Sequence, residues 1–221
     1  MSKANVARRT DVWRERRRQS ARDAIVDAAW GLVHAEGLAG LSLRELAKLA
    51  GVTTPTIYAY FDSKNAIYDA MFGASATTFL QRMTEPYAAA DPRGVLVEGL
   101  GRFVEFCTSD PPRYQLLFQR TIPGFEPSPE SFAPSVQALD ASRQRLAANG
   151  ITEPRHLDLW TALTTGLVDQ QISNDLGGTR WVSLVEEASD MYLAHCRPIR
   201  RRSSPPGSNP NAKGARRAHQ G

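Results

Sequence analysis

The stretch from Ser42 to Lys64, SLRELAKLAGVTTPTIYAYFDSK, places the tightest limit on what this chain can fold into. Ser42 followed by Glu45 has the form of a capping box, and apolar residues recur behind it at helical spacing. Gly51 then supplies the backbone freedom that a sharp turn needs, and Pro55 suits the first turn of a second helix. The stretch therefore predicts two short helices joined by a tight turn, which is a helix-turn-helix.

The second of these helices carries short hydroxyls and tyrosines around most of its surface. Such side chains reach phosphates, base edges and thymine methyls in a groove of DNA, and the helix that begins after Ser63 offers N-terminal amides to a phosphate. The DNA-contact residues predicted on this basis are Ser42, Arg44, Thr53, Thr54, Pro55, Thr56, Tyr58, Tyr60 and Lys64. The alternative is a small helical domain with a solvated threonine face, because bare helix-turn-helix matches are common.

The run from Asp23 to Phe72 resembles the DNA-binding domain of the TetR/AcrR family of bacterial transcriptional regulators. The motifs that carry the resemblance keep their spacing: Ala28-Ala29, Gly37, Ser42-Leu43-Arg44-Glu45-Leu46-Ala47, Ala50-Gly51-Val52, Thr56-Ile57-Tyr58-Ala59-Tyr60-Phe61 and Ser63-Lys64. Tyr60 stands where the family usually has histidine, and it keeps a hydrogen-bonding tip. The resemblance implies an all-α fold, in which a three-helix DNA-binding domain precedes a helical domain for ligand binding and dimerisation.

Composition and helix breakers divide the chain into four parts. We expect a disordered basic arm over 1–19, the helix-turn-helix domain over 20–66, the C-terminal domain over 67–196 and a disordered basic tail over 197–221. A helix from Lys64 to about Glu85 belongs to both domains. Four prolines between Thr121 and Pro134 predict a loop without regular structure.

Lysine and arginine are concentrated at both ends of the chain. Residues 1–22 hold eight of them against two acidic residues, and residues 197–221 hold seven against none, so the net charge of +4 conceals a negative middle. Two basic ends on an acidic body indicate a polyanionic partner. The N-terminal arm suits the minor groove or the phosphates of DNA; alternatively it only adds non-specific affinity.

The C-terminal domain is expected to hold a small molecule and to pair with a second copy. Its aromatic residues suggest an apolar pocket, although each of them also suits the core; the candidates are Phe103, Phe106, Tyr114, Phe118 and Trp160. In TetR relatives the last two helices pair with their copies as a four-helix bundle. The matching candidates here are Leu163, Leu167, Trp181, Val185, Ala188 and Tyr192.

The sequence shows no motif for catalysis or metal binding. Its four histidines are scattered, its two cysteines are far apart, and it has no glycine-rich phosphate loop and no apolar run of membrane length. We expect no enzyme, no cofactor, no metal, no membrane partner and a cytoplasmic location. The resemblance implies a homodimeric repressor released from a palindromic operator on double-stranded DNA by an unidentified effector. Two alternatives stay open: an architectural DNA-binding protein driven by its basic ends, and a small-molecule binding protein with a vestigial DNA domain.

Overall fold

The computed structural model describes the backbone of residues 3–196 and the side chains of residues 12–196. Within that part of the chain every regular element is helical, which confirms the predicted all-α class. The α-helices are α1 (Lys3–Glu36), α2 (Leu43–Leu49), α3 (Thr54–Tyr58), α4 (Lys64–Thr84), α5 (Pro92–Ser109), α6 (Pro111–Phe118), α7 (Pro129–Ala148), α8 (Pro154–Asn174) and α9 (Val185–Cys196). None of the helices in this part is long and apolar enough to cross a membrane.

The predicted helix-turn-helix is formed by α2 and α3. Gly51 sits in the turn with a φ of 68°, a conformation that side chains with a Cβ rarely adopt. Thr53 caps α3, because its hydroxyl accepts a hydrogen bond from the Thr56 amide at 3.3 Å. The capping box predicted for α2 is absent: the Ser42 side chain makes no capping hydrogen bond, and Glu45 lies 3.8 Å from the Lys48 ammonium instead.

The first helix is longer than the sequence pattern predicts. α1 begins at Lys3 and runs through Ser20, so the structure differs from the disordered arm expected over residues 3–19. No glycine or proline interrupts the chain before Gly31, and arginine, glutamine and alanine, which recur there, have high helix propensity. The expected tail over 197–221 lies outside the described residues.

Helix α4 connects the two halves of the protein, as the sequence predicts. Its first half contributes Ile67, Met71 and Phe72 to the core that α1, α2 and α3 share. Its last turn contributes Met83 to a second core, which is formed with α5, α8 and α9. A tilt of α4 therefore moves side chains in both cores, because close-packed interiors transmit displacement.

The proline-rich segment is partly helical, which differs from the predicted loop over 121–134. Ser128 caps α7 by accepting a hydrogen bond from the Ser131 amide at 3.2 Å. Pro129 occupies the first turn, where a missing N–H costs nothing. Pro134 lies inside the helix, and only the exposed Glu130 carbonyl loses its helical partner. The irregular segment is thus confined to the residues between α6 and α7.

Asp69 of α4 anchors the start of α7. Its carboxylate accepts hydrogen bonds from the Ser128 amide at 2.6 Å, the Ser128 hydroxyl at 3.0 Å and the Ser131 hydroxyl at 2.9 Å. We expect Asp69→Ala to lower the free energy of unfolding by about 1–3 kcal/mol, since half-buried donors lose their acceptor. Urea unfolding measures the change. Asp62→Ala, which removes an exposed carboxylate nearby, is the control; equal stability of the two variants would contradict the anchor.

Candidate nucleic-acid interface and internal cavity

The surface of α3 is polar and points away from the core. Ile57 is fully buried and fixes the rotation of the helix. That rotation leaves Tyr58 50% exposed, together with the exposed Thr53 and the half-buried Thr56. The Thr53 and Thr56 hydroxyl oxygens lie 2.9 Å apart. This short helix therefore presents an aromatic hydroxyl and two threonine hydroxyls to the outside, which suits hydrogen bonding to base edges and phosphates.

The other predicted contact residues lie on neighbouring parts of the same three-helix unit. Pro55 is exposed on α3, whereas Thr54 and Tyr60 are half-buried. At the start of α2, Ser42 is half-buried and Arg44 is exposed. Lys64 begins α4, and its ammonium lies 5.5 Å from the centre of the Tyr68 ring.

Arg22 is a contributor to this unit that the sequence analysis missed. Its guanidinium donates a hydrogen bond to the Tyr60 carbonyl and stacks 4.2 Å from the centre of the Phe61 ring. Arg22 thereby ties α1 to the residues that follow α3. The sequence signal for Arg22 is its position three residues before the buried Ile25, which places it on the core-facing side of α1.

A cavity of about 350 Å³ lies between α4, α5, α6, α7 and α8. Three of the predicted lining residues, Phe103, Phe118 and Trp160, line it. The other two do not line it, because their rings are used elsewhere in the core. Phe106 packs against Phe79 with ring centres 5.1 Å apart, and the buried Tyr114 donates a hydrogen bond to Asp169 at 2.8 Å.

The polar residues of the cavity wall were not predicted. They are Arg145, the serines at 135 and 142, and the threonines at 161, 164 and 165. The prediction used aromatic character alone, whereas these are polar residues on the faces of α7 and α8 that line the cavity. Ser142 and Arg145 are three residues apart and therefore share one face of α7. That spacing of polar residues is the sequence signal that could have predicted them.

A hydrogen bond between Tyr114 and Asp169 joins α6 to α8. Burial, followed by the hydrogen bond to Asp169, raises the pKa of Tyr114 well above its ordinary value. The phenol therefore keeps its proton and remains a donor. Gln119 donates to the same carboxylate oxygen at 2.7 Å. Burial likewise raises the pKa of the nearby Cys107 thiol, which makes that cysteine a poor nucleophile.

The predicted dimer residues lie on α8, on α9 and just before α9, mostly turned towards the chain's own core. Ala188 and Tyr192 are buried, and the Tyr192 hydroxyl donates to the His156 carbonyl at 2.8 Å. This placement removes both from the surface open to a partner. The remaining four are half-buried: Leu163, Leu167, Trp181 and Val185. The exposed surface of the two helices consists of other residues, including Leu159 at 41% and Met191 at 59% exposure.

Comparison with known proteins identifies the N-terminal domain. The model of bacterial regulatory proteins of the tetR family matches residues 25–71, which cover the C-terminal part of α1, all of α2 and α3, and the start of α4. Residues 25–71 are therefore a DNA-binding domain of the TetR family. Among relatives of the TetR domain, tetracycline repressor protein class D from Escherichia coli is 38% identical over 50 residues, 23% of each chain. An uncharacterized HTH-type transcriptional regulator from Mycobacterium tuberculosis, MT1294, is 41% identical over 58 residues, 26% of this chain and 29% of that protein.

The matched region thus spans about a quarter of the length of these relatives. Solved structures cover more of the TetR fold. A tetR-family transcriptional regulator from Streptomyces coelicolor aligns with a TM-score of 0.64 at 19% identity, over 80% of each chain. A TetR variant from Acinetobacter baumannii AYE, in complex with minocycline, aligns with a TM-score of 0.54 at 23% identity, over 77% of this chain and 93% of that one. At these identities the likeness concerns the fold.

Proposed function

We propose that this TetR-family protein is a DNA-binding repressor that leaves its operator when a small molecule enters the cavity. The observation that carries the proposal is the surface of α3, where a buried Ile57 holds Tyr58, Thr53 and Thr56 outward. A helix held this way behind a glycine turn is the reading element of a helix-turn-helix. The TetR-family match covers the whole of this unit.

The release step is supported by the path of α4. This helix begins at Lys64, next to α3, and its last turn places Met83 in the wall of the cavity. A ligand that favours one tilt of α4 therefore changes the position of α3 and lowers the affinity for operator. Bound operator lowers the affinity for the ligand by the same factor. A solved relative of similar fold holds minocycline, which supports a ligand-responsive role.

A homodimer follows from the family and from the open face of α8. In the described part of the chain no atom lies within 4 Å of where a Cβ on Gly166 would stand, and Ala162 one turn earlier is exposed. Small residues on an exposed helix face permit close approach of a partner helix. Two-fold symmetry places the two α3 helices one or more helical turns of DNA apart, so the operator is an inverted repeat.

The competing function is non-specific DNA binding driven by the basic ends. DNase footprinting of the DNA that flanks this protein's coding sequence separates the two. The repressor predicts two protected half-sites related by a dyad, whereas even protection along the fragment, lost steeply with salt, favours the non-specific protein. Purified protein that protects no site in that DNA would contradict the proposal.

Lys64 is expected to hold a phosphate rather than read a base, because it begins α4 beside that helix's N-terminal amides. Lys64→Ala should weaken binding to operator and to unrelated DNA by the same factor. It should also lower the slope of log affinity against log salt by about one. Fluorescence anisotropy at several salt concentrations measures both. Arg143→Ala, which removes an exposed cation on α7, is the control; a loss confined to the operator would contradict the phosphate role.

A further inference from the structure

Arg145 is the one charged side chain among the described residues that line the cavity. It is half-buried, and it donates a hydrogen bond to the Met83 carbonyl at 3.1 Å. Its guanidinium carbon lies 3.8 Å from the centre of the Tyr87 ring, which makes a cation–π contact. A guanidinium has five N–H donors. One is used by the Met83 carbonyl, and the Tyr87 hydroxyl also interacts with this group, which leaves further donors for a ligand.

Among the residues whose side chains the structure describes, Arg145 has no counter-ion, unlike the arginine on the same ring. Arg102 also stacks on Tyr87, at 4.3 Å, but it pairs with Glu98 at 2.5 Å. Hydrogen bonds, foremost from the Ala89 amide, lower the pKa of Glu98 and keep it ionised. Across residues 12–196 no carboxylate lies within 4 Å of the Arg145 guanidinium nitrogens. A half-buried cation beside apolar walls favours the binding of an anion next to it, because a buried charge is costly unless it is paired and hydrogen-bonded.

The surroundings of Arg145 separate a polar end of the cavity from an apolar end. Ser142 lies three residues earlier on the same face of α7, and within the described part of the chain its hydroxyl makes no hydrogen bond. The threonine hydroxyls on α8 already donate to backbone carbonyls, as Thr164 does to Thr161 at 3.1 Å. Among the described residues, the unused donors of the cavity wall are therefore the guanidinium of Arg145 and the hydroxyls of Ser142 and Ser135, all on α7, while rings such as Phe103 and Trp160 line other parts of it. Of the two serines, Ser142 is the nearer to Arg145 along the helix.

We infer that the cavity binds a ligand with an apolar body and a single carboxylate head, which Arg145 and Ser142 hold. The inference rests on the proposed function only in taking this cavity as the ligand site. Arg145 also holds the carbonyl of Met83 in the last turn of α4. A carboxylate bound to Arg145 therefore contacts the same guanidinium that donates to the Met83 carbonyl of α4. The head group is thereby connected to that helix through one side chain.

The test compares ligands that share an apolar body and differ in their head group. Calorimetric titration of the full-length protein at neutral pH uses decanoate, decan-1-ol and decylammonium. Decanoate should bind about 10- to 100-fold more tightly than decan-1-ol, the range expected for charge-assisted hydrogen bonds, and decylammonium should bind most weakly. Equal affinities for decanoate and decan-1-ol, or no binding of either, would overturn the inference without any variant being made.

Variants then assign the effect to Arg145. Arg145→Met should remove the preference for decanoate and leave decan-1-ol affinity unchanged, whereas Arg145→Lys should keep part of the preference. Arg143→Met removes a cation two residues away, one that pairs with Asp140 at 2.7 Å and does not line the cavity; it should change nothing. A purely structural role for Arg145 predicts equal losses for both ligands in the Met variant, which would refute the head-group site.

The outcome is separable from that of the proposed function, because the titrations contain no DNA. Preference for decanoate in a protein that protects no DNA would support the carboxylate site and reject the repressor. Footprints from a protein that binds decan-1-ol as well as decanoate would support the repressor and reject the carboxylate site.

Discussion

An arginine in place of Gly166 is expected to give monomers that no longer bind an inverted-repeat operator tightly. The structure leaves open space around this position on α8, so the fold tolerates the new side chain and only a partner helix is obstructed. Linking two half-site contacts in one dimer raises affinity by about 10²–10⁴-fold, and the variant should lose an amount in that range. Sedimentation velocity and operator titration measure the two parts of the prediction.

The control for this variant is Gly101→Arg. Gly101 is also inside a long helix with nothing near its would-be Cβ, but it lies on the face of α5 that carries the exposed Glu105. Leu167 and Val185 are unsuitable positions for the same test, because they pack against the chain's own core. A Gly166→Arg protein that still sediments as a dimer and keeps full operator affinity would show that this face of α8 is not the interface.

Replacing Tyr58 by alanine is expected to cost roughly 1–3 kcal/mol of operator affinity, the value of one good base contact. Affinity for unrelated DNA should change little, because phosphate contacts dominate there. Tyr58→Phe distinguishes the ring from the hydroxyl: a loss as large as that of alanine assigns the contact to the hydroxyl. Competition titrations against operator and shuffled duplexes give all of these values.

Stability provides the control for Tyr58. The side chain is half exposed and makes no described packing contact with the core, so the unfolding free energy should stay within about 0.5 kcal/mol. Operator affinity unchanged in Tyr58→Ala, in a protein of normal stability, would remove Tyr58 from the reading surface.

Local chemistry explains why the helix-turn-helix was predictable from sequence. A positive φ at Gly51, the Thr53 cap and the buried Ile57 each depend on residues within one turn of one another. The long α4 was predictable for the same reason: the Ser63 cap and the apolar period lie along one segment. The start of α1 was not predictable from apolar spacing, because it lies in a polar stretch. There the helix depends on the intrinsic helix propensity of its residues, which needs no apolar face.

The cavity was only partly predictable, because it is made by five helices that are distant in sequence. Aromatic content pointed to Phe103, Phe118 and Trp160, but it could not show that Tyr114 turns towards Asp169. Aromatic content cannot identify Arg145, which is not an aromatic residue. The spacing of apolar residues on α9 likewise shows which face is buried, but not whether the chain's own core or a partner subunit buries it. Ala188 and Tyr192 are buried in the chain's own core.

If the α3 surface reads DNA sequence, the protein must distinguish its operator from other DNA of the same charge. The most direct test is the ratio of affinities for the footprinted operator and for a shuffled duplex of equal length, measured by anisotropy across about 50–200 mM salt. We expect a ratio of about 10³ or more, maintained as salt rises and both affinities fall. Equal affinities for the two duplexes at every salt concentration would contradict it, because binding would then depend on the charge of the chain and not on the side chains of α3.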